Sequence, residues 1–366
     1  MSFLLGSFYF FYFGIIGIYI IFFPKVLDMV GYSSDKIGFI LSVSPLVRFI
    51  IPFLFLKGFQ LNKKYFYIAL IVLVISSISF SFSLFSFYPL LLSNIGLGIG
   101  LSLILPYIEV IALDTIKKEA YGKVRLFGSI GFIIVALVLV RYLTSVQIAI
   151  YYLIFFVITT ALFAFVIARK KQATSHTTLS NTINLLKDWS LWVGLTLMQI
   201  SFGAYYNFFT IYETHLGMSL DMTINLWVFG VIIEIIMLFF QGKLLRYNLI
   251  TILQFTTFSA VIRWLLLFLY PQNLPILFFA QSLHALNFAL FYTAAISYLH
   301  QHYAHKVLAQ QFFSGITFGF GGLIGAILFG YMYKFYPSFI FLGAALIALL
   351  GVFMLFYYAK KSKQTP

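Results

Sequence analysis

From Tyr65 to Leu84 the chain reads YFYIALIVLVISSISFSFSL, twenty residues without a charge. A helix rises 1.5 Å per residue, so this run reaches about 30 Å, the thickness of a bilayer's hydrocarbon. Lipid offers no water to the backbone, and a helix satisfies its N–H and C=O groups internally. On one side Lys63 and Lys64 close the run. On the other, residues 85–88 separate it from a second run at 89–113, which forces a hairpin. The same alternation extends along the whole chain. It predicts spans at 2–23, 38–56, 65–84, 89–113, 124–143, 147–168, 189–212, 222–241, 249–269, 274–298, 311–332 and 338–358. The expected fold is therefore an all-α polytopic membrane protein of about 12 transmembrane helices.

Composition points the same way. Of 366 residues, 62% are hydrophobic and 9% charged, against roughly 25% charged in soluble domains. A soluble core of this size could not hide so much apolar surface. Cysteine is absent, which excludes disulfides, thiolate nucleophiles and Cys-ligated metals. The N-terminus lacks a basic region before its apolar run and reads as a retained first helix. The net charge of +14 does not imply nucleic acid, because the basic residues sit in short links between apolar runs.

The longest polar stretch, Arg169 to Asp188, divides the sequence. The expected organisation is a bundle over 1–168, a central loop over 169–188, a second bundle over 189–358 and a tail over 359–366. Alternate loops carry Lys57, Lys63 and Lys64; Lys117, Lys118, Lys123 and Arg125; Arg169, Lys170, Lys171 and Lys187; Lys243 and Arg246; and Lys306. The opposite loops hold only Lys25, Lys36, Arg141 and Lys334. Positive charge stays on the cytoplasmic side, so both termini are expected there. The link Lys57-Gly58 to Lys64 is weakly echoed by Gln241-Gly242-Lys243 to Arg246, as two six-helix repeats require. Helix eleven holds Gly315, Gly319, Gly321, Gly322, Gly325 and Gly330, a surface for close helix packing or for sliding. Pro45, Pro52 and Pro106 are expected to kink their helices.

Ionisable groups inside the spans are few and costly, about 2.5–3.5 kcal/mol each on insertion scales. They are Arg48, Glu109, Glu234, Arg263 and His284, with Arg125 at the start of helix five. Gln199, Asn207, Gln281 and Asn287 add neutral polar groups, and Gln281, His284 and Asn287 share one helix face. Structural ion pairs or snorkelling could explain any one of them. A single water-filled cavity explains all of them. Two glutamates face three arginines, so Arg48 or Arg263 is left for an anionic substrate. Tyr205 and Tyr206 could stack on a ring. His300, His302 and His305 have no acidic neighbour in sequence and make a poor metal site. No phosphate-binding loop, metalloprotease or nucleophile-elbow motif occurs, so neither an enzyme nor a cofactor is indicated.

The link between helices four and five, Tyr121-Gly122-Lys123-Val124-Arg125-Leu126-Phe127-Gly128-Ser129-Ile130-Gly131, closely resembles the same link in two transporter groups. These are the lactose/proton symporters and the phenylpropionate permeases of the major facilitator superfamily. Tyr32 to Gly38, Leu46 to Phe49, Ala204 to Phe208, Val261 to Trp264 and Leu283-His284 resemble the phenylpropionate group. The resemblance implies two six-helix halves that rock around a central site. It further implies a monomer in the bacterial inner membrane, moving a small-molecule substrate with protons by alternating access. By the lactose pattern, Glu109 and Arg125 would hold substrate, and Arg263 and His284 would take part in proton coupling. Glu234 lies in the helix that carries another glutamate of that group, about one turn out of register, and two further positions depart from the pattern. Asn287 stands where that group carries its proton-binding glutamate, and Gly58 to Lys63 lacks the acid of the loop 2–3 signature.

Glu234, in the apolar segment Val231 to Met237, is therefore the expected proton carrier, with Arg263 and His284 as switching partners. The expected substrate contacts are Glu109, Arg125, Arg48, Tyr205, Tyr206, Asn207 and Asn287. Proton-coupled uptake of an aromatic or other carboxylate is favoured. A sugar or nucleoside symporter, or an exporter of the same fold, is the alternative. A lipid-modifying enzyme would need its polar groups at one interface, and here they lie at several depths.

Overall fold

A computed structural model of the chain describes residues 1–57, 59–116, 118–171 and 185–364. Gly58 of the loop 2–3 signature and most of the expected central loop lie outside these residues. Among the described residues all regular structure is helical. We number the long helices α1 (Ser2–Val30), α2 (Ser34–Leu56), α3 (Lys63–Ser83), α4 (Phe87–Thr115), α5 (Lys118–Tyr142) and α6 (Val146–Lys170). They continue with α7 (Trp189–His215), α8 (Leu220–Leu244), α9 (Leu249–Leu269), α10 (Leu274–His302), α11 (Leu308–Phe335) and α12 (Ile340–Gln364). Eleven of them are long and apolar enough to cross a membrane. The remaining one, α7, has 27 residues and so ample length. It carries Gln199, Asn207 and Glu213 among its apolar residues.

The helix ends differ from the expected spans where polar groups find partners. α1 runs past Phe23 to Val30, with Pro24 in the first turn of the continued helix and Lys25 paired to Asp28 at 2.8 Å. Helices continue through Pro45, Pro52 and Pro106, each of which lacks the N–H for one helical hydrogen bond. π-Helical stretches interrupt the α-helical pattern at Ile18–Phe22 in α1, Ala285–Leu290 in α10 and Phe313–Phe320 in α11.

The chain divides into two compact units, Met1–Thr178 and Leu179–Pro366. Each uses the same packing scheme. In the first, α1 packs on α5 and α6, α3 on α4 and α6, and α2 on α4. In the second, α7 packs on α11 and α12, α9 on α10 and α12, and α8 on α10. A shift of 186 residues superposes the details. Gly31 and Gly217 both take a left-handed φ of 94° and close helices α1 and α7, a conformation glycine adopts without a Cβ penalty. Ser33 and Ser219 then take the N-cap positions of α2 and α8, the Ser219 side chain accepting from the Met222 amide, with Asp35 and Asp221 in the first turns, where an acid meets the positive end of the helix. Tyr19 donates to Asn94 Oδ1 and Tyr205 to Gln281 Oε1, each at 2.9 Å and each joining the first helix of its unit to the fourth, with the two acceptors 187 residues apart.

Gly17 and Gly203 are another such pair. A Cβ on Gly203 would stand 2.6 Å from the Gly325 backbone of α11, so two main chains touch there. The glycine-rich α11 thus packs closely on α7 within its own unit. Gly203→Ala therefore pushes backbone against backbone, whereas Gly242→Ala meets nothing within 4 Å. In detergent, Gly203→Ala is expected to lower the melting temperature by several degrees, in line with overpacking costs of about 1–3 kcal/mol, and Gly242→Ala to leave it unchanged. Equal melting points would remove this contact from the account.

Candidate functional site

The second unit gathers its intramembrane polar groups around Arg263. This residue of α9 is 0% exposed. Its guanidinium lies over the Tyr205 ring at 4.3 Å and the Trp264 ring at 4.7 Å, so cation–π attraction replaces part of its lost hydration. Nη2 donates to Gln281 Oε1 at 2.8 Å, and Nη1 meets His284 Nδ1 at 3.0 Å. Arginine has donors only, so Nδ1 must accept and the imidazole proton sits on Nε2. That nitrogen faces Glu234 Oε2 of α8 at 3.5 Å, too long for a strong hydrogen bond. The order is thus Arg263, His284, Glu234, with the histidine between the two charges. Among the described residues two donors of this cluster have no partner, Arg263 Nε and Gln281 Nε2. The π-helical turn at Ala285–Leu290 begins immediately after His284, a distortion that often marks functional positions.

The first unit holds a more open cluster. Glu109 of α4 accepts from Arg125 Nε at 3.1 Å and from the Tyr121 hydroxyl at 3.0 Å. The Arg125 guanidinium sits over Phe13 at 4.2 Å and Tyr9 at 5.0 Å. Gly128, one turn on, leaves it room: a Cβ there would lie 3.3 Å from Nη1. The side chains of Arg125 and Glu109 stay 33% and 28% exposed. Because the pair engages only Nε, the terminal nitrogens of Arg125 keep their donors available. Arg48 is half-buried and makes no hydrogen bond or ion pair among the described residues.

Three expected substrate contacts are placed elsewhere. Tyr205 is 1% exposed and serves as a brace, its hydroxyl on Gln281 and its ring under Arg263. Asn287, also 1% exposed, donates to Ser259 Oγ at 2.6 Å and to the Thr256 carbonyl at 3.1 Å, tying α10 to α9. Asn207 donates back to the Gly203 carbonyl of its own helix at 2.8 Å. Tyr206 is half-buried and stacks on Trp227. Sequence periodicity marks a polar face but does not say whether that face meets a cavity or another helix.

Sequence reading missed three groups. Tyr121 lies four residues before Arg125 on one helix face, a spacing that could have found it. Asp188 accepts from His302 Nε2 at 2.9 Å and from Tyr303 at 2.8 Å, so His302 does have an acidic neighbour, far away in sequence. Burial pushes the Tyr303 phenol above its ordinary range, and its bond to Asp188 pushes the same way. Glu213 is the third.

The match to the MFS_1 like family model covers residues 3–343. A probable 3-phenylpropionic acid transporter of Escherichia coli (strain K12) is 26% identical over 94% of this chain and 95% of its own length. Among solved structures, the nucleoside transporter NupG superposes with a TM-score of 0.82 at 15% identity, covering 98% of this chain and 99% of its own. The D-xylose-proton symporter does so with a TM-score of 0.71 at 14% identity, covering 98% and 96%. At such identities these structures establish the fold.

Arg263→Lys keeps the charge but not the fork; it strands the acceptor His284 Nδ1 and leaves Gln281 Oε1 with the Tyr205 hydroxyl alone. A buried orphan costs about 1–3 kcal/mol. The variant is expected to melt several degrees below wild type in scanning fluorimetry, while Arg48→Lys melts with it. No difference between the two would show that the guanidinium contacts do not hold the second unit together.

Proposed function

The chain belongs to the MFS_1-like family, membrane transporters of the major facilitator type, and on that premise we propose that it carries a small organic anion together with a proton. It is a transporter and not an enzyme. The observation that carries the finer reading is Arg263, a fully buried cation with no carboxylate on it among the described residues and with its Nε and the Gln281 Nε2 both unpartnered. A buried charge without a partner is costly. A substrate carboxylate supplies that partner, with acceptor oxygens matched to a guanidinium. The E. coli relative is named for 3-phenylpropionic acid, an aromatic carboxylate. The exposed part of Tyr206 offers such a ring an apolar contact.

The proton follows from charge. Arg263 holds His284 neutral by occupying Nδ1, so within this cluster the mobile proton belongs to Glu234. With Glu234 ionised, the cluster sums to zero and has little call on an anion. With Glu234 neutral, the charge of Arg263 is uncompensated and an anion is favoured. Proton and carboxylate thus bind together, and their charges cancel in transit. In the first unit Arg125 and Glu109 form a second substrate contact by alternating access. The loop charges orient both termini to the cytoplasm. A cysteine at Ser219 should then react with an impermeant external thiol reagent, and one at Lys123 should not.

In proteoliposomes, an inward pH gradient should drive accumulation of 3-phenylpropionate, taken as the first probe. Glu234→Gln should abolish accumulation yet leave exchange of labelled for unlabelled probe. Glu109→Gln and Arg125→Lys should weaken binding at least tenfold, about 1.4 kcal/mol. Uphill accumulation by Glu234→Gln would remove this residue as the proton carrier.

A further inference from the structure

Glu213 lies in the last turn of α7, and nothing above uses it. Its residue is 0% exposed, and neither carboxyl oxygen has a hydrogen-bond partner. No ion pair reaches it among the described residues. The groups at this end are well defined. α7 packs on α8, α11 and α12 and on the π-helical stretch of α11. Its own helix adds Tyr212 and His215, α11 adds Tyr331, Tyr333 and Lys334, α8 adds Asp221, and the α9–α10 link adds Tyr270. The stretch Phe313–Phe320 has no titratable residue, and the first one in α12 is Tyr357. His215 Nδ1 is engaged with the Tyr333 hydroxyl at 3.1 Å.

The internal repeat shows what the fold needs at this position. The Met218 amide bonds the Glu213 carbonyl just as the Tyr32 amide bonds the Leu27 carbonyl, each pair flanking a left-handed glycine. Glu213 is therefore the counterpart of Leu27, itself 0% exposed. Apolar bulk suffices for the hairpin in the first unit. In the second unit the same position carries an acid that the packing does not require and the hydrogen bonding does not serve. An ionised carboxylate without donor, cation or water is strongly disfavoured, whereas the neutral acid fits an apolar site.

We propose that Glu213 is a second proton-binding site, neutral while this end of the second unit is closed and ionised when water reaches it. The O–H bond breaks on opening, the proton passes to that water, and the carboxylate left behind keeps the end open until a proton returns. As a step of transport this rests on the proton-coupled reading above. As a property of the protein it does not, so the two are tested apart.

The test uses purified full-length protein without a pH gradient or substrate. Infrared spectra at neutral pH should contain a protonated-carboxyl band that Glu213→Gln removes and Glu234→Gln leaves. A reporter cysteine at Ala344, buried in α12 one turn from the Phe341 ring that packs on Tyr212, reads the opening. Its labelling rate divided by that of the same reporter in Glu213→Leu should rise about tenfold from about pH 6 to about pH 9, the ratio cancelling the thiol's own titration. Glu213→Leu copies the first unit's residue and should fold. If it does not, the pH dependence of the wild-type band decides alone. Superimposable spectra of wild type and Glu213→Gln, or a flat labelling ratio, would overturn the proposal. Loss of pH-driven uptake in all forms with the band intact would overturn the coupling reading only.

Discussion

A guanidinium buried at 0% exposure constrains everything around it in the second unit. Taken out of water, Arg263 needs each N–H answered and its charge offset. Two rings supply cation–π contact, and Gln281 and His284 supply acceptors. Tyr205 then braces Gln281, and Glu234 lies beyond His284. The demand is left partly unmet, at one nitrogen of Arg263 and one of Gln281. In the proposed function that gap is where a substrate carboxylate binds.

The two units are built alike and charged differently. Both use a tyrosine–amide bond from first helix to fourth, and both turn at a left-handed glycine. The shared features belong to packing. Where the repeat breaks, the two units differ in charge. Seventeen residues past its glycine, the first unit carries Arg48 and the second Glu234. Four residues before it, the first carries Leu27 and the second Glu213. Glu109 and Arg125 are partly exposed in one unit, whereas Arg263 is sealed in the other. Substitution at a position the fold leaves unconstrained lets one scaffold take up ion and substrate chemistry.

The membrane fold was legible because each helix must be apolar over a fixed length, a rule readable from the run at 65–84 alone. The charged residues were legible for the same reason, since a charge in lipid stands out. What each one touches was not. Asn287 and Tyr205 read as cavity groups but bind neighbouring helices. Glu213 sat just past an expected helix end at 212 and escaped notice, although the motif Gly-x-Ser-x-Asp at Gly31 and again at Gly217 aligns the halves and would have exposed it. Asp188 and His302 are paired across more than a hundred residues, a distance over which no local pattern operates.

The central claim is that an anion and a proton bind the Arg263 cluster together. The direct measurement is proton uptake from weakly buffered solution when 3-phenylpropionate is added to purified protein near neutral pH. The account predicts about one proton taken up per ligand bound, as reciprocal linkage requires, and none in Glu234→Gln. Ligand binding without proton uptake, or uptake undiminished in the variant, would contradict it.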